Sequence, residues 1–171
     1  SRPPLLAARS LAQDSLVEAV LVVGVPEPGN AAAVGYSLES GIPSVPAFVK
    51  NSYVGRTFIK PGQNSRVSSV RVKLNPLREA VEGKRVVMID DSIVRGTTCR
   101  QIVGLLREAG ATEVHMRVSA PPFIAPCYFG TDIPDREKLI ACHHTEEEIR
   151  ALTGADSLGY LALEDLERMA P

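Results

Sequence analysis

Cysteine is scarce in the sequence, with three residues, Cys99, Cys127 and Cys142, in a chain of 171. The number is odd and no two of them form a Cys-x-x-Cys pair, so the sequence predicts neither a disulfide framework nor a self-contained zinc site. Free thiols are typical of a reducing compartment. We therefore expect a cytoplasmic protein.

Neither sign of charge is in excess, because 19 Lys and Arg residues are balanced by 20 Asp and Glu residues, for a formal net charge of −1. A nucleic-acid-binding protein normally has a strongly basic face, so this composition argues against a nucleic-acid partner. Apolar runs are also short. The longest, such as residues 19–23 and 86–89, could not span a bilayer, and we expect no membrane partner.

The chain has the size of one ordinary domain, and its 44% hydrophobic and 23% charged residues are typical of a globular protein. Its 171 residues are enough to bury a single core, and too few for two full domains. We therefore expect one domain over residues 1–171.

Strand and helix patterns alternate along the sequence. Apolar runs at residues 20–23, 86–89 and 113–119 predict buried strands, and the segments 30–38 and 97–109 have apolar residues at helical spacing. This alternation predicts an α/β fold with a parallel sheet flanked by helices. Two more helices are predicted, one starting at the acidic segment 145–148 and one over 163–169.

A long segment between the first two strand-helix units has a different composition. Residues 50–64 contain Gly55, Pro61 and Gly62 and are rich in polar side chains towards their end. This composition favours a mobile loop or a β-ribbon outside the sheet. Long loops in compact domains are usually functional.

The loop at residues 90–98 joins the carboxyl end of a predicted buried strand to the start of a helix, which is where open α/β sheets bind ligands. Unpaired N–H groups at the helix start would attract an anion. Hydroxyls of Ser92, Thr97 and Thr98 lie beside them in the sequence, and Gly96 would allow close approach. This combination predicts a phosphate-binding loop.

Two adjacent carboxylates, Asp90 and Asp91, open the same loop. They would repel a phosphate, so we expect them to bind another part of the ligand, such as sugar hydroxyls, or a divalent metal that prefers oxygen ligands. The alternative is that they only cap the following helix, a common role of Asp. One Asp would be enough for that role, and the pair therefore favours a ligand.

Residues 86–98 consist of four apolar residues, two acids, four variable residues and Gly-Thr-Thr within one strand-loop-helix unit. This pattern resembles the phosphoribosyl pyrophosphate (PRPP) signature of the type I phosphoribosyltransferases. The likeness extends from about residue 20 to residue 163 and is strongest to the amidotransferase branch of that family, in segments 41–43, 48–51, 53–59, 73–75 and 107–111. It implies the type I phosphoribosyltransferase fold, with a flexible loop over the site.

The resemblance also implies roles for individual residues. Asp90 and Asp91 would hold the ribose hydroxyls, directly or through Mg²⁺. The loop that wraps the phosphate would comprise Ser92, Ile93, Val94, Arg95, Gly96, Thr97 and Thr98. Glu27 and Gly29 would belong to the pyrophosphate loop, and the flexible loop would bring Lys50, Tyr53 and Arg56 to the leaving pyrophosphate as catalytic residues.

Two positions depart from the family pattern. Pro28 stands where the family has a Ser or Thr, and Ser52 stands where a basic residue is common. Both changes remove groups that would face pyrophosphate, because proline has neither a hydroxyl nor a backbone N–H. Weaker substrate affinity, a shifted metal requirement and loss of activity are all compatible with them.

Two further groups of residues invite a metal assignment. Cys127 resembles the position of one iron-sulfur ligand in some members of the family, but a single cysteine cannot hold a cluster, so this chain does not support one. His143 and His144 follow Cys142 with a spacing that fits no common metal site. We interpret these two histidines as surface residues and Cys127 as a structural thiol.

The resemblance implies transfer of the phosphoribosyl group from PRPP to ammonia, giving phosphoribosylamine and pyrophosphate in the first step of purine synthesis. It covers only the phosphoribosyltransferase half of those enzymes, so we expect a fragment that lacks the N-terminal glutaminase domain. In the full-length family that domain would be the ammonia-supplying partner in a homo-oligomer. The alternatives are a nucleobase phosphoribosyltransferase and a catalytically weak regulatory module that binds a nucleotide or PRPP.

Overall fold

The computed structural model describes residues 2–14, 17–26, 28–50, 74–125 and 136–169. Within these ranges, the main sheet consists of four parallel strands. They are β1 (Leu21–Gly24), β4 (Arg85–Asp90), β5 (Glu113–Val118) and β6 (Ser157–Tyr160), and they lie side by side in that order. A separate antiparallel pair joins β2 (Phe48–Lys50) to β3 (Leu74–Pro76). The predicted parallel sheet is confirmed.

Helices cover both faces of the main sheet. They are α1 (Arg2–Asp14), α2 (Pro28–Ser40), α3 (Arg78–Val81), α4 (Thr97–Glu108), α5 (Ile140–His143), α6 (Glu146–Thr153) and α7 (Leu163–Met169), with one 3₁₀ turn at Arg136–Lys138. No helix in the described ranges is both long and apolar enough to cross a bilayer.

The central strand β4 shows why the sheet lies between two layers. Its residues Val86, Val87, Met88 and Ile89 are all fully buried. Val86 and Met88 point into a core shared with α4 and α6, whereas Val87 and Ile89 point into a second core with α1 and α2. A strand buried on both faces is expected to be apolar throughout, which is the pattern in the sequence.

The unit formed by β4, α4 and β5 has the predicted boundaries to within one residue. Gly96, with φ of 76°, precedes α4, and Gly110, with φ of 102°, follows it. Both values lie in the left-handed region that glycine adopts without strain. Because β4 and β5 are parallel neighbours, Asp90 lies beside Val118 at the carboxyl edge of the sheet.

The predicted helix α6 begins with a complete capping box. Thr145 accepts a hydrogen bond from the backbone N–H of Glu148, and the Glu148 side chain accepts one from the backbone N–H of Thr145. These bonds satisfy two donors that would otherwise be unpaired. The helix packs through Ile149 into the core on the face of the sheet that α4 covers.

Candidate functional site

The two acidic residues of the sequence motif lie at the carboxyl edge of the central strand. Asp90 is the last residue of β4 and is 6% exposed, whereas Asp91 is exposed. The backbone carbonyl of Asp90 accepts hydrogen bonds from the N–H of Ser119, at 3.0 Å, and from its hydroxyl, at 3.3 Å. The end of β4 is therefore hydrogen-bonded to the segment after β5. These bonds fix the backbone that carries the carboxylate of Asp90.

Both carboxylate oxygens of Asp90 have partners within the protein. The backbone N–H of Asp91 donates to Oδ1 at 2.8 Å, and the thiol of Cys99 donates to Oδ2 at 3.5 Å. Burial, together with the neighbouring Asp91, raises the pKa of Asp90 to about 7. Burial and the Asp90 carboxylate raise the pKa of the Cys99 thiol far above its usual range. A carboxyl with such a displaced pKa at a sheet edge is a typical candidate for function.

The alternative role of the acidic pair, capping the following helix, is not found in the structure. Gly96 is the N-cap residue of α4, and having no side chain it makes no side-chain cap. The first intrahelical bond runs from the N–H of Arg100 to the carbonyl of Gly96, at 3.0 Å. Thr97 and Thr98 form the exposed first turn, where backbone N–H groups carry the positive end of the helix dipole.

The loop between Asp91 and Gly96 is held at two points. The side chain of Ile93 is 1% exposed and is part of the core beneath α4, so only its backbone is available to a ligand. The carbonyl of Val94 accepts a hydrogen bond from the N–H of Ile140 at 2.9 Å. Ser92, by contrast, is half-buried, and its hydroxyl lies 3.4 Å from Oδ1 of Asp91. The loop has a fixed course with polar groups on its open side.

The start of α2 lies against the same edge of the sheet. The helix begins at Pro28, so the expected start near residue 30 is wrong by two residues, and Gly29 lies in the first helical turn instead of a loop. Proline is favoured at this first helical position because its missing N–H would have no helical partner there. Pro28 thus has a local structural reason to replace the family's hydroxyl residue. Glu27 lies outside the described residues.

Few of the residues expected in the flexible loop are described. Lys50 is exposed and ends β2, opposite Leu74 of β3. Apart from Lys50, the segment 50–64, predicted as a mobile loop or a β-ribbon, lies outside the described residues. Tyr53, Arg56 and the variant position Ser52 lie outside the described residues, as does Cys127. Their predicted roles remain predictions.

A cavity of about 300 Å³ adjoins the outer side of the loop. The loop contributes Arg95, Gly96 and Thr97 to its wall, and the opposite wall comes from the segment 137–144. Four lining residues with basic side chains were not assigned to the site from the sequence: Arg100, Lys138, His143 and His144. The two histidines are exposed, as expected, but they line this cavity. Of these four residues, only Arg100 could have been assigned to the site from the sequence, because it lies one helical turn after Gly96.

The described residues contain no preformed metal cage. Among them, no cluster of three or more His, Cys, Asp or Glu side chains is arranged around one point. Mg²⁺, however, is usually bound by one or two carboxylates together with substrate phosphates and water. The oxygen donors of Asp90, Asp91 and Ser92 fit that kind of site, in which the ligand would complete the coordination.

Comparison with known proteins agrees with this geometry. The chain is 58% identical over 156 residues to an amidophosphoribosyltransferase of Archaeoglobus fulgidus, and the match covers 91% of this chain and 34% of that protein. It is 56% identical to the amidophosphoribosyltransferase of Bacillus subtilis, over 92% of this chain and 33% of that protein. The chain thus spans about a third of the length of these curated relatives. A scan against protein-family models gave no match.

The chain is also similar to solved structures of related enzymes. The glutamine PRPP amidotransferase of B. subtilis, in complex with ADP and GMP, superposes with a TM-score of 0.87 at 53% identity, over 97% of this chain and 36% of that one. A structure described as the allosteric regulatory enzyme of purine biosynthesis also superposes with a TM-score of 0.87, at 52% identity. The chain is therefore a relative of the amidophosphoribosyltransferases over about a third of their length, and it has the type I phosphoribosyltransferase fold.

Proposed function

We propose that the chain binds PRPP with Mg²⁺ and transfers its phosphoribosyl group to ammonia, releasing pyrophosphate and giving phosphoribosylamine, the first step of purine synthesis. The observation that carries this proposal is the strand-loop-helix unit formed by β4 and α4. A buried strand ends in Asp90 and Asp91, and the loop after them leads into a helix whose N-cap, Gly96, has no side chain. Relatives with 58% and 56% identity that are amidophosphoribosyltransferases support it.

The start of α4 would hold the 5′-phosphate of PRPP. Backbone N–H groups and hydroxyls of Thr97 and Thr98 supply donors, and the helix dipole favours the negative charge. Glycine is required at position 96, because its φ of 76° is left-handed and a Cβ there would lie 2.8 Å from Cδ1 of Ile140. The exposed guanidiniums of Arg95 and Arg100, on the cavity side of the same turn, add positive charge nearby.

The acidic pair would orient the ribose. Asp91 is exposed and accessible to a hydroxyl, and Asp90 lies beneath it with its carboxylate held from two sides. A carboxylate accepts hydrogen bonds from ribose hydroxyls, and fixing the sugar aligns its anomeric carbon with the incoming ammonia. Mg²⁺, when bound, would neutralise charge on the pyrophosphate and reduce its repulsion from the two carboxylates.

The leaving group would be stabilised from the other side of the site. As the bond to the anomeric carbon breaks, negative charge develops on pyrophosphate, and cationic side chains stabilise such charge. Lys50 at the end of β2 is placed at the start of the segment that would supply them. Tyr53 and Arg56 complete this group in the proposal. Closure of that segment would exclude water from the ribosyl centre.

The cellular setting is part of the same proposal. Because the chain spans about a third of its relatives, ammonia would reach it from a glutaminase domain of a longer protein, within a homo-oligomer in the cytoplasm. The isolated chain would use free ammonia. No iron-sulfur cluster is proposed, since Cys127 alone cannot hold one.

A comparison of possible acceptors of the phosphoribosyl group tests the proposal. The chain would be incubated with PRPP and Mg²⁺, and the amount of pyrophosphate released would be measured after adding ammonium, adenine, guanine, uracil or orotate in turn. Release with ammonium alone is the expected result. Release with a nucleobase alone would make the protein a nucleobase phosphoribosyltransferase. Calorimetric binding of PRPP without release would make it a binding module, the role that Pro28 and Ser52 would then explain.

A further inference from the structure

The side chain of Cys99 makes a contact that the proposed function does not use. Cys99 is the third residue of α4 and is 3% exposed. Its thiol lies 3.5 Å from Oδ2 of Asp90, a residue that is itself 6% exposed. The two are nine positions apart in the sequence, and the loop between them forms the proposed phosphate site. The contact therefore joins the two ends of that loop, the end of β4 and the first turn of α4.

The Asp90 carboxylate is anchored at both oxygens because of this contact. The N–H of Asp91 holds Oδ1 at 2.8 Å from the loop, and the Cys99 thiol holds Oδ2 from the helix. Rotation about the terminal torsion of Asp has broad, shallow preferences, so one anchor alone leaves the plane of the carboxylate poorly defined. With two anchors from different elements, the plane is fixed before a ligand arrives.

We infer that Cys99 is a positioning residue, whose thiol fixes the orientation of the Asp90 carboxylate for the ribose hydroxyls or metal of PRPP. This inference rests on the proposed function. Cys99 touches no reacting atom in it, and acts only through Asp90. A thiol suits the position because it is a small apolar group that packs in the core with α4 while still offering a weak donor.

A pair of substitutions separates positioning from packing. Cys99→Ser keeps a donor for Asp90 and Cys99→Ala does not, whereas the two side chains are close in size. We expect the dissociation constant of PRPP with Mg²⁺, measured by calorimetry, to rise about fivefold in Cys99→Ala, the usual scale of one net hydrogen bond. In Cys99→Ser it should stay within about twofold of the parent. Equal affinities of the Ala and Ser variants would overturn the inference.

A matched control uses the other described thiol. Cys142 is half-buried and donates to the carbonyl of Ile124 at 3.2 Å, outside the proposed site. Cys142→Ala removes the same atoms and should leave PRPP affinity unchanged. An equal loss of affinity in Cys142→Ala and Cys99→Ala would mean a general structural effect, and would count against positioning.

A second readout keeps the inference distinct from the proposed function. If the parent chain binds no PRPP, the proposed function fails, and crystal structures of the ligand-free variants then decide the role of Cys99. We expect the Asp90 carboxylate to be turned or disordered in Cys99→Ala and to keep its plane in Cys99→Ser. An unchanged carboxylate in Cys99→Ala would overturn the inference regardless of ligand binding.

Discussion

A Cβ atom on Gly29 would lie 2.5 Å from the carbonyl oxygen of Ile89, closer than a Cβ atom approaches a non-bonded atom in folded proteins. That oxygen also accepts the N–H of Val25 at 2.9 Å, and Ile89 immediately precedes Asp90 in β4. The first turn of α2 is thus packed directly on the end of the strand that carries the acidic pair. The close approach of helix and strand requires glycine at position 29.

Gly29→Ala should therefore force α2 away from the end of β4. Overpacking of this kind usually costs about 1–3 kcal/mol, and we expect a loss of stability in that range, measured by urea unfolding. Gly104→Ala is the matched control, because a Cβ on Gly104, inside α4, would meet no atom within 4 Å. It should raise stability by up to about 1 kcal/mol through helix propensity. Equal effects of the two substitutions would contradict the close approach.

Asp90 makes the ligand-free chain sensitive to pH. Its pKa is about 7 in the folded chain, against an ordinary value of 3.8, so between these values the folded chain retains a proton that the unfolded chain has lost. The stability that this group contributes is complete below pH 3.8 and is lost as the pH rises through about 7.

Asp90→Asn cannot ionise and should escape this loss. In the presence of a chelator, the Tm of the variant minus that of the parent should increase by several degrees from pH 5 to pH 8. A thermal denaturation series over that range measures it. A difference that does not change with pH would show that the Asp90 carboxyl titrates normally in the folded chain.

The cavity beside the loop leads to a prediction about charge. Neither Arg95 nor Arg100 forms an ion pair with an acidic side chain in the described part of the chain, and both line the cavity next to Thr97. Arg95→Ala and Arg100→Ala should each weaken PRPP binding about two- to fivefold, and added salt should reduce the difference.

A third arginine provides the comparison for this effect. Arg78 lies in α3, is exposed, and pairs with Glu82 at 3.3 Å. Arg78→Ala changes the net charge by the same amount and should leave PRPP affinity unaltered. If all three variants lose affinity equally, net charge and not the cavity accounts for the effect.

The two described thiols should differ in reactivity. Cys142 is half-buried, whereas Cys99 is buried and its thiol pKa is raised far above its usual range, so little reactive thiolate forms. With iodoacetamide at pH 8, mass spectrometry should find Cys142 alkylated well before Cys99. Denaturant should remove the difference. Alkylation of Cys99 as fast as Cys142 in the native chain would contradict the buried contact with Asp90.

The sequence predicted the elements that are long and strongly apolar. β4 and α4 have clear periodicity and glycine boundaries, and their positions were correct. β6 was missed because Ser157–Tyr160 contains a serine and a glycine and has no apolar run, so only its pairing with β5 makes it a strand. α1 was missed as well. Its early residues Pro3 and Pro4 indicate a break, yet proline is tolerated in the first turn of a helix.

The candidate site was predictable to the extent that it is local. Asp90 to Thr98 lie in one strand-loop-helix unit, so their proximity followed from the sequence. The contacts of Cys99 with Asp90, and of Gly29 with Ile89, depend on how separate elements pack, and no periodic pattern encodes them. The cavity wall from residues 137–144 was missed for the same reason.

Phosphorus NMR of the chain with PRPP, Mg²⁺ and ammonium at mildly alkaline pH tests the central claim most directly. We expect a pyrophosphate signal that grows with ammonium concentration, does not form without ammonium, and is lost in Asp90→Asn. A folded parent chain that releases no pyrophosphate with saturating PRPP, Mg²⁺ and ammonium would contradict the proposed transfer. Release that is equal in the parent and in Asp90→Asn would contradict the role of the acidic pair.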